Sequence, residues 1–190
     1  TGIEYFTALQ TLKCYSNQLT SLDISGNTAL KSLDCAKNQL AALDVSQNTA
    51  LESLNCADNQ VTSLDISQNT ALEYLICASN KLTALNVSGN ATLKFLNCES
   101  NELSADVNRN TALNTLNCRN NRLTSLNVSL NLNLQDLNCS TNQLSALDVQ
   151  KNTALKSLYC GYNQLTVLDV GQNRSLESLS CNNNLLTTLD

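Results

Sequence analysis

The sequence contains no proline, tryptophan, methionine or histidine, and aromatic residues make up only 4% of the chain. Without histidine there is no imidazole to act as a base beside a nucleophile, and the five glycines form no phosphate-binding loop. The net charge of −5 argues against nucleic acid, which requires a basic surface. No apolar run approaches the ~18 residues of a membrane-spanning helix. We therefore expect no enzyme, no cofactor, no nucleic-acid partner and no membrane span within this segment.

The sequence has instead a strong internal repeat, marked by nine cysteines. The cysteines recur every 21 residues, except for one interval of 20 residues, and the surrounding pattern is L-x-x-L-x-C-x-x-N-x-L followed by L-x-x-L-D-V-S-x-N. A period of roughly 20 to 29 residues with this leucine spacing is typical of leucine-rich repeats. The cysteines are Cys14, Cys35, Cys56, Cys77, Cys98, Cys118, Cys139, Cys160 and Cys181.

Each repeat divides into two similar halves, and each half contains a short alternation of apolar and other residues. This alternation has strand periodicity, and neither half is long enough or helically spaced enough for an α-helix. The pattern predicts a leucine-rich repeat solenoid that is mainly β. We expect a parallel sheet of the L-x-C segments on one face and short extended strands or turns on the other.

The whole chain, 1–190, is predicted to be one solenoid domain of about nine turns, because stacked turns share a continuous core. Residues 1–6 would be the end of an upstream unit. Repeat arrays need terminal units with a polar outer face, and neither end of this sequence has one. We therefore expect a monomeric fragment of a longer protein that lacks both caps.

Two columns of asparagine accompany the repeat. A turn asparagine can bond backbone groups that a bend leaves unpaired, and buried backbone groups need partners. We therefore predict that both columns stabilise the turns through such bonds. The first column is Asn17, Asn38, Asn59, Asn80, Asn101, Asn121, Asn142, Asn163 and Asn184, and the second is Asn27, Asn48, Asn69, Asn90, Asn110, Asn131, Asn152 and Asn173.

The cysteine column has three possible interpretations: buried thiols, disulfides or a metal site. Free cysteine is among the most buried residue types, which favours the first. An odd number of cysteines leaves one unpaired, and side chains on neighbouring parallel strands point the same way, which suits disulfide geometry poorly. A metal needs ligands that converge on one point, and no histidine assists. We favour inert buried thiols and predict no metal site.

Aspartate recurs in the second half of most repeats. Stacked like charges repel each other, so the carboxylates need compensation. Hydrogen bonds from turn amides or nearby hydroxyls would supply it. Calcium is the alternative, although one aspartate per turn rarely provides the six to eight oxygens that calcium prefers. The column consists of Asp23, Asp44, Asp65, Asp106, Asp148, Asp169 and Asp190.

One repeat is a residue short and lacks a core leucine, in the segment Leu103-Ser104-Ala105-Asp106-Val107. A slip of one residue along a strand would turn its side chains to the wrong face of the sheet. We therefore expect a local adjustment of the backbone, with Ala105 turned toward the gap or the gap partly empty.

The 21-residue repeat with a cysteine in its strand resembles the internalin J subgroup of the internalin-type bacterial surface proteins. The opening residues Thr1-Gly2-Ile3-Glu4-Tyr5-Phe6-Thr7-Ala8-Leu9 resemble the phrase that leads into internalin repeats. The resemblance extends over essentially the whole chain. It implies an extracellular, adhesin-like recognition domain that is secreted or displayed on a bacterial surface.

The candidate binding residues are those at outward-facing strand positions that depart from the small polar residues found in other repeats. Tyr74, Ile76 and Phe95 fall on adjacent strands, and Tyr159 and Tyr162 form a second, smaller aromatic group. Aromatic residues are frequent hot spots of binding, although cross-strand pairing can also explain them. The sequence favours recognition of a protein or glycan through the L-x-C sheet. The alternative is a structural spacer that projects other domains from the cell surface.

Overall fold

The computed structural model describes residues 2–104 and 110–189. After a 3-10 turn at Ile3–Tyr5, these residues form one parallel sheet whose strands follow each other in chain order. The architecture confirms the predicted solenoid with its sheet of L-x-C segments. The strands are β1 (Thr11–Lys13), β2 (Ser32–Asp34), β3 (Ser53–Asn55), β4 (Tyr74–Ile76), β5 (Phe95–Asn97), β6 (Thr115–Asn117), β7 (Asp136–Asn138), β8 (Ser157–Tyr159) and β9 (Ser178–Ser180).

The strands pair in a constant register across the sheet. Leu33 of β2 lies beside Leu54 of β3, and the central leucines of the other strands pair in the same way. The short repeat does not disturb this register, since Leu96 of β5 pairs with Leu116 of β6. Leu103 remains buried. The predicted adjustment around Ala105 lies outside the described residues, so it stays a prediction.

The core runs the length of the solenoid beneath the sheet. In β2, Leu33 is buried while Ser32 and Asp34 on either side are only partly covered, because successive side chains of a strand point to opposite faces. Cys35 and Leu40 are buried in the same layer. Each turn thus buries its leucines and cysteine against the turns next to it, as the repeat pattern predicts.

The face opposite the sheet is made of turns. Asn48 N donates to Val45 O (3.0 Å) and Leu51 N donates to Asn48 O (3.1 Å), and the same pair of bonds recurs along the solenoid. Within residues 2–104 and 110–189 every strand belongs to the one sheet. Of the two forms predicted for this face, turns are therefore the correct one. The same residues contain no helix long and apolar enough to cross a membrane.

The first asparagine column bonds backbone groups, as predicted. Asn59 Nδ2 donates to the carbonyls of Cys35 (3.1 Å), Cys56 (3.0 Å) and Ala57 (3.1 Å), while its Oδ1 accepts from Leu40 N (3.0 Å). The side chain thus joins its own turn to the preceding one. Most members of the column repeat these contacts. The column satisfies backbone groups that the bend after each strand leaves unpaired.

The second asparagine column meets the prediction only in part. Asn69 Nδ2 donates to the carbonyls of Val45 (3.0 Å) and Asn48 (2.9 Å), which again joins successive turns. Its Oδ1 is buried without a hydrogen-bond partner among the described residues. Such an oxygen loses its hydrogen bonds to water on folding and gains no hydrogen bond within the protein in return. The same oxygen lacks a partner in Asn27, Asn48, Asn90, Asn110, Asn152 and Asn173.

Candidate binding surface

All nine cysteines are free thiols, and they form a packing column under the sheet. Those from Cys35 to Cys160 are buried, while Cys14 and Cys181 at the two ends are partly exposed. Burial raises the pKa of Cys56 and Cys98 to about 12. A thiol with so high a pKa is not ionised near neutral pH and is therefore unreactive. The buried-thiol interpretation is the one that the structure supports.

The aspartate column compensates its charge through hydrogen bonds within its own turns. Asp23 Oδ1 accepts from the Ser25 hydroxyl (2.7 Å) and from Ser25 N (3.0 Å), and these bonds lower the pKa of Asp23. Asp44 likewise accepts from Ser46 N (2.9 Å), which lowers its pKa too. Within the described parts of the chain, no three acidic or cysteine side chains lie close enough to hold a metal ion. Asp106 and Asp190 lie outside those parts.

The outer face of the sheet presents mostly small polar side chains, and β4 and β5 are the main exception, with Tyr159 of β8 a second one. Tyr74 pairs with Phe95 across these strands, and their ring centroids lie 6.3 Å apart with a 29° angle between the planes. Ile76 lies on the same face of β4, because only the buried Leu75 separates it from Tyr74. Tyr74 is 49% exposed. We call Tyr74, Ile76 and Phe95 the central patch.

Ion pairs border the central patch where the two strands begin and end. Lys94 Nζ lies 2.8 Å from Glu73 Oε2, just before the strands. Glu99, two residues after β5, has its Oε1 3.7 Å from Nη1 of Arg119, which lies two residues after the next strand, β6. The patch is therefore a small apolar area within a charged rim, which is the composition expected of a protein-interaction surface.

The second aromatic group lies beside a shallow pocket of about 220 Å³. Tyr159 is the last residue of β8, and its hydroxyl accepts a hydrogen bond from the Ser178 hydroxyl (3.1 Å). Tyr162 is 59% exposed and has a left-handed backbone, with φ of 55°. The structure thus places Tyr159 and Tyr162 at one pocket, well along the sheet from the central patch. We call this the tyrosine pocket.

Sequence reasoning singled out only the two tyrosines of this pocket and overlooked other lining residues, among them Thr141, Gly161 and Asn182. Gly161 directly follows its cysteine, where no other repeat has glycine, so comparison of the repeats could have singled it out. Thr141 gives no such signal, because its role depends on a left-handed backbone (φ 56°) that the sequence does not reveal.

No protein-family model matches the chain, and no curated protein matches it. The functional domain of internalin J from Listeria monocytogenes, described as including a cysteine ladder, is 41% identical, with a TM-score of 0.95 over 97% of this chain. A leucine-rich repeat protein of Leptospira interrogans is 29% identical over 99% of the chain, with a TM-score of 0.75.

A third similar structure is the leucine-rich effector YopM of Yersinia pestis, which is 28% identical over 95% of the chain, with a TM-score of 0.85. The chain spans 42% of the internalin J chain, 58% of the Leptospira chain and 51% of the YopM chain, which is less than two thirds of each.

These comparisons and the stacked turns define the chain as a leucine-rich repeat solenoid. Within that class it is a bacterial-type protein with 21-residue repeats and a cysteine ladder, and it resembles the internalin J subgroup of the internalins.

Proposed function

We propose that this chain is a recognition module, secreted or displayed on a bacterial surface, that binds a protein or glycan through the outer face of its sheet. The observation that carries the proposal is the central patch, in which Tyr74, Ile76 and Phe95 replace the small polar residues of other repeats. The likeness to the functional domain of internalin J supports an internalin-like, extracellular role.

Sheet stability alone is a poor explanation for the central patch. A cross-strand aromatic pair contributes only about 0.2–1 kcal/mol, and the sheet forms elsewhere without one. The pairing also leaves Tyr74 49% exposed and gives no reason for Ile76. Exposed apolar clusters on a polar surface mark interaction sites. The stacked rings present a rigid surface with little conformational entropy to lose on binding.

The rim of ion pairs favours a protein as the ligand of the central patch. An apolar centre excludes water while the charges around it orient the partner. Glu73 and Lys94 are partly exposed and keep one charge of each sign beside the rings. The patch therefore suits a protein surface with an apolar centre and polar surroundings.

The test is a screen of extracellular protein and glycan arrays, followed by replacement of Tyr74 and Phe95 with serine. The double variant should bind the ligand at least about tenfold more weakly, since hot-spot residues each contribute more than about 1 kcal/mol. Its melting temperature should barely change, because both side chains lie outside the core. Tyr15→Ser, which removes another exposed tyrosine, is the matched control.

Undiminished binding by the double variant would show that the central patch is not the site. Failure of every array to yield a ligand would favour the spacer function, which is consistent with the mostly small polar side chains on the rest of the sheet.

A further inference from the structure

We infer that the tyrosine pocket binds one neutral pyranose ring of a glycan, with tyrosine as the stacking platform. The inference rests on the proposed recognition function and names the ligand class of a second site on the same sheet. The first observation is that three residues of this pocket depart from the repeat pattern. Tyr159, Gly161 and Tyr162 each differ in type from the residues at the same positions of neighbouring turns.

Residue 161 is glycine because a side chain there would collide with Asn182, and not because its backbone needs a left-handed conformation. The left-handed position that favours glycine is occupied by Tyr162 (φ 55°), one residue later. A Cβ atom on residue 161 would lie 2.7 Å from Asn182 Oδ1 and 3.0 Å from Asn182 O. Glycine thus lets the Asn182 side chain lie over the end of the strand, at the edge of the pocket.

Two residues that suit a left-handed backbone poorly line the same pocket. Thr141 (φ 56°) is β-branched and Tyr162 (φ 55°) is bulky, and such residues rarely adopt positive φ. Asn120 and Asn183 occupy this position in the turns on either side of the pair and tolerate it better. The left-handed position itself recurs after each of the nine strands and belongs to the scaffold, so what sets this place apart is the choice of Thr141 and Tyr162 for it.

The polar groups of the pocket are suited to hydroxyl ligands. Asn182 Oδ1 accepts from the Ser180 hydroxyl (2.8 Å), and Asn138 Oδ1 accepts from Ser140 N (3.2 Å). Neither Nδ2 group donates to a protein atom within the described residues, so both can donate to a ligand. Asn138 pairs directly with Tyr159 in the sheet. Amide donors therefore stand close to an aromatic ring that the Ser178 hydroxyl holds in place.

A sugar has the matching distribution of groups. One face of a pyranose ring presents C–H groups, whose slight positive charge is attracted by the negative face of an aromatic ring. Its edge carries the hydroxyls that amides and serines can bond. At about 220 Å³ the pocket is smaller than the roughly 300 Å³ of the smallest drug-sized sites. It therefore holds one ring, and the remainder of a glycan would extend along the sheet.

Charge favours a neutral sugar over an acidic one. Arg119 is the only charged residue that lines the pocket within the described residues. Its guanidinium lies 3.7 Å from the carboxylate of Glu99, so the pair carries no net charge. The lining therefore has no net charge that would select an acidic ligand.

The test is to titrate the chain with glucose, galactose, mannose, N-acetylglucosamine and N-acetylgalactosamine, and to follow saturation-transfer NMR and the ring signals of the tyrosines. At least one sugar should bind with a Kd on the order of 1 mM, as expected for a ligand of about a dozen heavy atoms. It should shift the signals of Tyr159 and Tyr162 while leaving that of Tyr15 in place.

The repeat itself supplies matched variants for this test. Tyr159→Asn and Tyr162→Asn introduce the residues found at the same positions of other turns, Asn138 and Asn120. Each should weaken sugar binding at least tenfold. Tyr162→Asn should leave the melting temperature unchanged or higher, because asparagine tolerates positive φ better. Gly161→Ala, the residue of three other turns, should weaken binding by displacing Asn182.

The absence of binding by all five sugars, or binding that survives in both tyrosine variants, would overturn the inference. Retained binding of a protein ligand through the central patch in that case would leave the proposed function intact. Loss of sugar binding in the Tyr74 and Phe95 double variant would also overturn the inference, because it would place the sugar at the central patch.

Discussion

The inner and outer faces of the sheet follow different rules. On the inner face the central residue of each strand is leucine in every repeat, and the residue that follows the strand is cysteine. On the outer face the flanking residues change from turn to turn: β2 has Ser32 and Asp34 where β4 has Tyr74 and Ile76. Each turn must fit both of its neighbours beneath the sheet. It has no such constraint above the sheet, and binding residues can therefore arise there.

The largest expected effect concerns the inner face and comes from pH. Buried Cys56 and Cys98 have a pKa of about 12, whereas an unburied thiol has a value of 9.0. Between these values the folded chain retains protons that the unfolded chain loses. Stability is therefore complete below pH 9.0 and falls as the pH rises. In this range each of the two thiols should lower the free energy of unfolding by about 1.4 kcal/mol per pH unit. Urea unfolding at several pH values in the same range would measure this slope.

The control for this prediction is a variant with alanine at both positions. Its unfolding free energy should fall less steeply with pH, because unfolding would release about two fewer protons. Equal slopes in the two proteins would show that these thiols are not shielded from water, and would contradict the buried column.

A smaller effect is expected from single substitutions in β4, which compare the two faces within one strand. Leu75 is completely buried, and replacing it with alanine should lower the free energy of unfolding by about 3 kcal/mol through lost burial and a cavity. Tyr74→Ser on the outer face should cost less than about 1 kcal/mol. Chemical denaturation of both variants measures the difference. Similar losses would mean that Tyr74 is part of the structural framework.

The sequence was sufficient to predict the inner face. The strands, their central leucines and the first asparagine column follow from period-two alternation combined with a 21-residue repeat. Each further repeat supports the same register, and the one-residue deletion leaves Leu96 paired with Leu116. The clustering of Tyr74 with Phe95 also followed from that register.

The backbone conformation of the turns was beyond such reasoning. The left-handed residue after each strand, such as Thr141 or Tyr162, directly precedes an asparagine of the first column but varies in type, so the residue itself does not reveal its positive φ. The tyrosine pocket depends on these conformations and on the space above Gly161. Likewise, the two asparagine columns occur in similar half-repeats, and the sequence gives no reason to expect different hydrogen bonds. The two columns differ in their hydrogen bonds only because different backbone carbonyls and amides lie near their side chains in the folded chain.

The smallest effect separates the two asparagine columns within the interior. Asn59→Ala removes three donated bonds and also the acceptor for Leu40 N, and leaves that buried amide unpaired. Asn69→Ala removes two donated bonds and at the same time eliminates a buried oxygen that has no partner among the described residues. Because an unsatisfied buried group costs about 1–3 kcal/mol, Asn59→Ala should be the more destabilising by about 1.5 kcal/mol.

Urea unfolding of the two variants, measured side by side, gives this difference directly. Both sites exchange the same side chain in the middle of the solenoid, so the loss of side-chain volume is matched. Equal destabilisation would mean that the Asn69 oxygen has an acceptor role as strong as that of Asn59, most simply through water bound inside the turn. A larger loss of stability in Asn69→Ala would mean that the two bonds to the carbonyls of Val45 and Asn48 stabilise the fold more than all the bonds of Asn59. The expected order instead makes the first column the stronger link between turns, because it satisfies donors and acceptors together.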